Sequence, residues 1–256
     1  MGRRLLEIAY LGTDYCGWQV QPNGITVQQV LQDALFKILK HRPNITGCSR
    51  TDSGVHAKSF FCHFDTDVSV PNKGLVLGLN TVLPNDIAAL NCYTVPDDFH
   101  ARYSSTGKLY RYSLLNSVIK DPFLTGRVLL IKKPINIERV KEYCDLLKGT
   151  HNFEAFSSVN RTVENTVRTV YDCYFKINGN SFEFYIKADG FLYNMVRIIV
   201  GTLLEFSNGK ISADDIENAF ISGDRKLLGP TVQPDGLYLE KVFYENDTYI
   251  FGKGVL

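Results

Sequence analysis

Apolar and polar residues alternate along this chain in patterns that predict a regular series of strands and helices. Residues 5–11 alternate as a strand, and apolar residues three and four apart over 27–39 predict a helix. Thr26 and Gln29 form the pattern of a capping box at the start of that helix. Strands near 45–48, 58–65 and 86–95 and a helix over 72–82 complete a first half with the order β-α-β-β-α-β.

A similar order of elements recurs in the second half. Residues 107–115 alternate, which places Tyr110 and Tyr112 on one face of a strand and Arg111 on the other. The remaining predicted elements are a short strand over 128–131, a helix from 137 to a stop at Gly149, a hairpin of 166–177 and 181–187, helices over 191–206 and after Ser212, and a strand over 237–244.

These patterns predict an α+β protein of two similar split β-α-β halves, ferredoxin-like or RRM-like. The halves are expected to carry largely antiparallel sheets joined side by side, with helices on one face. The predicted domains are residues 1–104 and residues 105–256.

Composition is that of an ordinary globular protein, with 45% hydrophobic and 21% charged residues. The 28 Lys and Arg residues nearly balance 27 Asp and Glu, which argues against a protein coated with basic residues but does not exclude a local basic face. No signal peptide is expected at the start, and the helix near 190–206 carries Arg197 and Glu205, which excludes a membrane span. The six cysteines include no C-x-x-C pair and predict reduced core thiols in a cytoplasmic protein.

One polar stretch between apolar segments is the main candidate for chemistry. It is Ser49-Arg50-Thr51-Asp52-Ser53-Gly54-Val55-His56-Ala57. Its residue types favour a sharp turn with the Asp52 carboxylate at the tip. Asp52 could simply cap that turn, or it could act as a general base on a small molecule. The triplet Asp52-Ser53-Gly54 also occurs in aspartic proteases, but that chemistry needs a second copy or a symmetric dimer, and the chain has no second Asp-Ser/Thr-Gly.

Three further stretches are hard to explain by packing alone. They are Asp98-Phe99-His100-Ala101-Arg102-Tyr103, Tyr110-Arg111-Tyr112, and the start of the helix near 190–206. Arg197 lies in an apolar run of that helix, where an unpaired buried charge costs several kcal/mol. Arg197 therefore needs an anionic partner, unless its side chain reaches the surface.

Seven stretches together resemble the TruA family of tRNA pseudouridine synthases over nearly the whole chain. They are Tyr15-x-Gly17-Trp18-Gln19, Arg50 to Ala57, Asn80-x-x-Leu83-Pro84-x-Asp86-Ile87, Phe99-His100-Ala101-Arg102, Tyr110-Arg111-Tyr112, Met195-Val196-Arg197-x-Ile199-Val200-Gly201, and Gly236-Leu237-Tyr238-Leu239. The departure in the central loop is Ser53, where the family usually has alanine.

The resemblance implies an enzyme that isomerises uridine to pseudouridine at positions 38, 39 and 40 of the tRNA anticodon arm. It implies no cofactor and no metal, and a homodimer that holds tRNA across both subunits. Asp52 matches the catalytic aspartate, Tyr110 the active-site tyrosine, Arg197 the arginine paired with that aspartate, and Arg50 the arginine that displaces the target base. Whether Asp52 attacks C1′, attacks C6 or removes a proton from C2′ stays open.

Residues near these motifs are predicted to contact the RNA. They are Arg50, Thr51, His56, Phe99, His100, Arg102, Lys108, Arg111 and Lys187, with Arg161 and Arg168 as further phosphate contacts. Each basic residue could instead be a solvated strand residue. The alternative function is a non-catalytic RNA-binding module, since duplicated split β-α-β domains often bind RNA through their sheets.

Overall fold

The computed structural model describes residues 2–158 and 165–245. These residues form ten β-strands and five α-helices, and most strand pairs are antiparallel. The predicted α+β class with largely antiparallel pairing is therefore confirmed. Two compact units are present: the first contains the described residues up to Thr106 and those from Tyr238 onward, and the second is Gly107–Leu237. The predicted domains 1–104 and 105–256 stay a prediction.

The first unit contains one helical layer and one sheet. Its elements are β1 (Gly2–Tyr10), α1 (Val27–Leu39), β2 (Thr46–Gly47), β3 (His56–Thr66), α2 (Asn72–Val82), β4 (Ile87–Val95) and β10 (Leu237–Tyr244). The strand order is β4-β1-β3-β10, and β2 pairs with the other part of β3. An order β4-β1-β3-β2 with helical connections fits a split β-α-β unit. The likeness of the two halves stays a prediction.

The core of the first unit lies between its sheet and its helices. Leu5, Leu6 and Ile8 of β1 have no exposed surface, and neither has Leu31 of α1. The helix begins where the sequence predicted, because Thr26 Oγ1 accepts a hydrogen bond from the N–H of Gln29 at 3.4 Å. The N-cap residue Thr26, followed by apolar residues at helical spacing, was sufficient to locate α1.

The second unit is built around a hairpin and three helices. Its elements are β5 (Ser105–Asn116), β6 (Leu129–Ile131), α3 (Ile137–Leu147), β7 (Gly149–Asn152), β8 (Val167–Asn178), β9 (Ser181–Ala188), α4 (Met195–Ser207) and α5 (Ala213–Ser222). The strand order is β5-β9-β8-β7, and β6 lies parallel to β5. The predicted β8–β9 hairpin is confirmed. None of the helices in the described part of the chain is long and apolar enough to cross a membrane.

Two details of the second unit differ from the sequence prediction. The helix predicted over 191–206 begins at Met195, because Asn194 has φ 61° and its left-handed conformation ends any helical run there. Its apolar face is buried as predicted, except that Leu204 is only half-buried. The short strand β7 was missed, since Gly149 to Asn152 carries no apolar alternation and is a strand only through its pairing with β8.

A close backbone crossing ties α4 to the segment that follows α5. A Cβ atom on Gly201 would lie 1.8 Å from the carbonyl oxygen of Pro230, and one on Gly229 would lie 2.5 Å from the carbonyl oxygen of Gly201. Only glycine lets the two backbones approach this closely. The crossing therefore fixes the path of residues 229–232 along the first turns of α4.

Gly201→Ala is expected to lower the free energy of unfolding by about 3 kcal/mol, because the new methyl group meets backbone that cannot rotate away. Gly74→Ala in α2 is the matched control. Its Cβ would meet only ordinary contacts at 3.8 Å or more, so helix propensity should raise stability by up to about 1 kcal/mol. Urea unfolding of both variants measures the difference, and equal stability of the two would contradict the crossing.

Candidate active site

The loop before β3 is a tight turn with Asp52 near its tip. The N–H of Val55 donates to the carbonyl oxygen of Asp52 at 3.2 Å, and Gly54 has φ +79°. Asp52 is half-buried, and Arg50 is exposed two residues earlier. The left-handed conformation of Gly54 is what lets the chain reverse immediately after the carboxylate.

Thr51 anchors this loop to β1 and to the segment that follows β1, residues 11–18. Its Oγ1 lies 2.8 Å from the hydroxyl of Tyr10 in a buried hydrogen bond, although the two residues are 41 positions apart. Its carbonyl oxygen accepts from the N–H of Trp18 at 3.1 Å. Backbone and side chain of Thr51 are therefore both fixed, immediately before the carboxylate.

The following residues are anchored to the same segment. The carbonyl oxygen of Tyr15 accepts from the N–H of Gly54 at 3.2 Å and from Ser53 Oγ at 3.2 Å. The Ser53 hydroxyl makes a hydrogen bond that the alanine usual in the family could not make. It therefore adds a contact between the loop and Tyr15 on the C-terminal side of Asp52.

Two glycines make the close approach of these segments possible. Gly17 has φ +82°, and a Cβ atom there would lie 2.5 Å from the carbonyl oxygen of Thr51. A Cβ atom on Gly12 would lie 2.0 Å from the carbonyl oxygen of Val55. Backbone thus packs directly on backbone along both sides of Asp52, which explains why the sequence carries glycine at both positions.

His56 closes the loop and has no exposed surface. Its Nδ1 accepts a hydrogen bond from the N–H of Gly12 at 2.9 Å, and its ring packs against Tyr238 with centroids 4.5 Å apart. A ring nitrogen that accepts is unprotonated, so the proton of neutral His56 is on Nε2. The predicted RNA contact of His56 stays a prediction.

The segment Phe99 to Tyr103 is held by hydrogen bonds to its backbone. Arg3 Nη1 donates to the carbonyl oxygen of Phe99 at 3.0 Å, the N–H of Ala101 donates to His63 Nδ1 at 3.1 Å, and the hydroxyl of Tyr244 donates to the carbonyl oxygen of Ala101 at 2.8 Å. Burial, together with the charges of Arg3 and His100, lowers the pKa of His63 to about 4. His63 is therefore neutral at physiological pH and keeps its acceptor nitrogen.

In the second unit, Tyr110 and Arg111 lie on opposite faces of β5, as predicted. Tyr110 is buried, and its ring meets that of Phe191 edge to face at 4.9 Å. Arg111 is also buried, and its guanidinium donates to Glu183 Oε1 at 2.8 Å and to the hydroxyl of Ser113. The ion pair with Glu183 offsets part of the charge that an RNA phosphate would meet.

Arg197 lies in the first turn of α4 and is half-buried. Its Nε donates to the carbonyl oxygen of Val232 at 2.7 Å, and its Nη1 donates to Asn194 Oδ1 at 2.8 Å. Asn194 Nδ2 in turn donates to Ser158 Oγ at 2.7 Å. The crossing at Gly201 and the left-handed Asn194 therefore position the guanidinium.

The remaining basic residues that were predicted to contact RNA are partly buried where the structure describes them. Lys108 and Lys187 are half-buried, and Lys187 Nζ lies 5.9 Å from the ring centroid of Tyr171. Arg168 is half-buried and donates to the carbonyl oxygen of Asn165 at 2.9 Å. Arg161 lies outside the described residues.

The structure groups the predicted residues within each unit. The first unit carries Arg50, Thr51, Asp52 and His56 on one loop and Phe99, His100 and Arg102 on one segment, and the second unit carries Tyr110, Arg111, Lys108, Lys187 and Arg197. Sequence reasoning missed the supporting groups Tyr10, Gly12, Asn194 and Val232. The cluster of glycine, tyrosine and tryptophan at 12–18 was the available signal for Gly12. Within residues 2–158 and 165–245, no three His, Cys, Asp or Glu side chains are grouped to hold a metal ion.

Comparison with known sequences identifies a family that matches most of the chain. The sequence profile of a family described as tRNA pseudouridine synthase matches residues 8–104 and 143–245. The first range contains the Asp52 loop and the segment at Phe99, and the second contains Arg197. Tyr110 lies between the two matched ranges.

Three curated relatives are similar to this chain over most of its length. One is tRNA pseudouridine synthase A 2 of Clostridium perfringens, with 46% identity over 93% of this chain and 98% of the relative. Proteins named tRNA pseudouridine synthase A from Clostridium botulinum and from a Thermoanaerobacter species share 45% identity over 93% and 43% identity over 94% of this chain, each covering 98% of the relative.

The Tyr10–Thr51 hydrogen bond is expected to couple two distant parts of the chain. Tyr10→Phe and Thr51→Val should each lower the free energy of unfolding by about 1 to 2 kcal/mol, because each removes the buried hydrogen bond between the two hydroxyls. The double variant should lose about 1 kcal/mol less than the sum of the two. Tyr10→Phe combined with Thr81→Val, at an exposed position of α2, should be additive. Additive losses in the Tyr10–Thr51 pair, measured by urea unfolding, would contradict the coupling.

Proposed function

The chain belongs to the tRNA pseudouridine synthase family, and we propose that it isomerises uridine at positions 38, 39 and 40 in the anticodon stem-loop of tRNA. The observation that carries this proposal is the Asp52 loop. Its carboxylate stands at the tip of a turn that is hydrogen-bonded to the 10–18 segment on both sides. A reactive group carried by a backbone that is anchored on both sides loses little freedom when substrate binds.

The reaction is an isomerisation, so all atoms and electrons of the substrate are retained. The bond from C1′ to N1 breaks, the uracil rotates, a bond from C1′ to C5 forms, and the proton lost from C5 is balanced by one gained at N1. A carboxylate can act as the nucleophile that carries the sugar or base through this exchange. We assign that role to Asp52.

Arg197 and Tyr110 are the other two residues that we assign to catalysis. A cation keeps a carboxylate ionised, and this is the role proposed for Arg197. Its guanidinium is held by Val232 and Asn194, which supports a positioned charge and not a freely moving one. Tyr110, whose ring is fixed edge to face against Phe191, is proposed to stack on the uracil close to the C5 proton.

Reaching a uridine inside a stem requires that the base leave the helix at a cost of a few kcal/mol. Arg50 is proposed to occupy the vacated place, because a planar guanidinium can both stack and donate hydrogen bonds. Its exposure beside Asp52 supports this role. The other proposed RNA contacts are Thr51, His56, Phe99, His100, Arg102, Lys108, Arg111 and Lys187.

Two further proposals concern the assembly and its compartment. We propose a homodimer that holds tRNA across both subunits, on the family resemblance. A cytoplasmic location is supported by the cysteines, of which five are buried among apolar residues. Burial raises the pKa of the Cys62 and Cys173 thiols, which keeps them protonated and unreactive.

Asp52→Asn should abolish tritium release from unmodified tRNA labelled at C5 of uridine. We expect a fall of at least about 1,000-fold, because the amide cannot act as nucleophile, while tRNA affinity stays within about threefold of wild type. Asp14→Asn removes the same charge from an exposed position in the neighbouring segment and is the matched control, with release near wild type.

Two results would contradict the assignment. Release that persists in Asp52→Asn would remove Asp52 from the chemistry. Tight tRNA binding by the wild type without any release would instead favour a non-catalytic RNA-binding protein.

A further inference from the structure

Tyr103 is an aromatic side chain that packing does not explain. It is 78% exposed, whereas the next most exposed tyrosines of the described residues, Tyr171 and Tyr193, are each 51% exposed. It follows directly after the Phe99-His100-Ala101-Arg102 motif and belongs to no strand or helix. An aromatic ring this open gains little from the core, and its surroundings decide what it can contact.

The ring is nevertheless held in place on one side. His100 packs beneath it, with ring centroids 4.3 Å apart and planes inclined by 32°, and the guanidinium carbon of Arg102 lies 5.9 Å from the Tyr103 centroid. Most of the side chain is nevertheless exposed. The result is a largely exposed ring that packs against one imidazole and has a cation nearby.

The support beneath the ring is rigid. His100 Nδ1 accepts hydrogen bonds from the N–H groups of Arg102 and Tyr103 at 3.1 and 3.2 Å. The N–H of His100 donates to Ser104 Oγ at 3.0 Å, and the N–H of Ser104 donates to the carbonyl oxygen of His100 at 2.9 Å. Burial lowers the pKa of His100, so Nδ1 stays an acceptor at neutral pH. A short turn closed on itself therefore presents Tyr103.

We propose that Tyr103 is a stacking platform for an unpaired base of the tRNA substrate, with Arg102 placed to contact the adjoining phosphate. This inference rests on the proposed function and adds a binding residue to it. Stacking on an exposed ring is tolerant of base identity, because every base has a π-face, and a neighbouring cation strengthens it. The bases of a loop or of a flipped nucleotide's neighbours have the free faces that such a platform needs.

The surroundings favour RNA over a second protein chain as the occupant. Protein interfaces are built around a contiguous apolar centre, from which charged groups are depleted. The two side chains that contact the Tyr103 ring are His100 and Arg102, and the residues that follow it, Ser104 and Ser105, are polar. A single aromatic ring among polar and cationic groups is the pattern of a surface that binds single-stranded nucleic acid.

Tyr103→Ala should weaken binding of unmodified tRNA about tenfold, measured by fluorescence anisotropy at fixed salt, and raise KM with kcat within about twofold of wild type. Tyr103→Phe should bind within about twofold of wild type, because the ring face and not the hydroxyl makes the contact. Phe123→Ala, at an 86% exposed phenylalanine away from the motifs, is the matched control and should leave affinity unchanged. The thermal midpoint of each variant checks the fold.

The salt dependence separates stacking from charge. Tyr103→Ala should leave the slope of log Kd against log salt unchanged, whereas Arg102→Gln should reduce it by about 1. Wild-type affinity of Tyr103→Ala, or equal weakening by Tyr103→Phe, would overturn the platform. A Tyr103→Ala chain that changes its oligomeric mass would overturn it in favour of a protein interface.

These measurements distinguish failure of the Tyr103 platform from failure of the proposed function. If wild type releases no tritium but Tyr103→Ala still binds tRNA about tenfold more weakly, the platform stands and the enzyme assignment fails. If wild type is active and Tyr103→Ala binds equally well, only the platform fails.

Discussion

Direct packing of backbone against backbone, between residues 12–17 and the loop at 51–55, is the constraint on which the first unit's candidate chemistry depends. No side chain fits at Gly12 or Gly17, so the two segments are in contact along their main chains. Because of this contact, Thr51 forms hydrogen bonds with Tyr10 and Trp18 before Asp52. The carbonyl oxygen of Tyr15 accepts hydrogen bonds from the loop after Asp52. A carboxylate on an exposed turn would otherwise sample many positions, and fixing it in advance is what catalysis requires of a nucleophile.

The second unit also contains a close approach of two backbone segments that only glycine permits. Gly201 and Gly229 bring α4 against the chain at Pro230, and that approach puts the carbonyl oxygen of Val232 within hydrogen-bonding distance of Arg197. Left-handed Asn194 makes α4 begin at the following residue, Met195, and supplies a second acceptor for the same guanidinium. In both units, glycine provides the close approach and a long-range hydrogen bond converts it into a fixed side-chain position.

Much of this could be predicted from sequence, and the exceptions have a common cause. The helix at Val27–Leu39, the β8–β9 hairpin and the opposite faces of Tyr110 and Arg111 follow from local periodicity and turn residues. The late start of α4 and the strand β7 do not, because one depends on a single left-handed residue and the other on its partner strand. The burial of His56 depends on Gly12, 44 residues away, which no local pattern contains.

The most direct measurement is the position of pseudouridine in an unmodified tRNA that carries uridine at 38, 39 and 40, read by mass spectrometry after incubation with the purified chain. The proposed function predicts new pseudouridine at one or more of these three positions and at no other. Pseudouridine confined to other positions would contradict the assigned target. A complete absence of pseudouridine in several such tRNAs would contradict the enzymatic function itself.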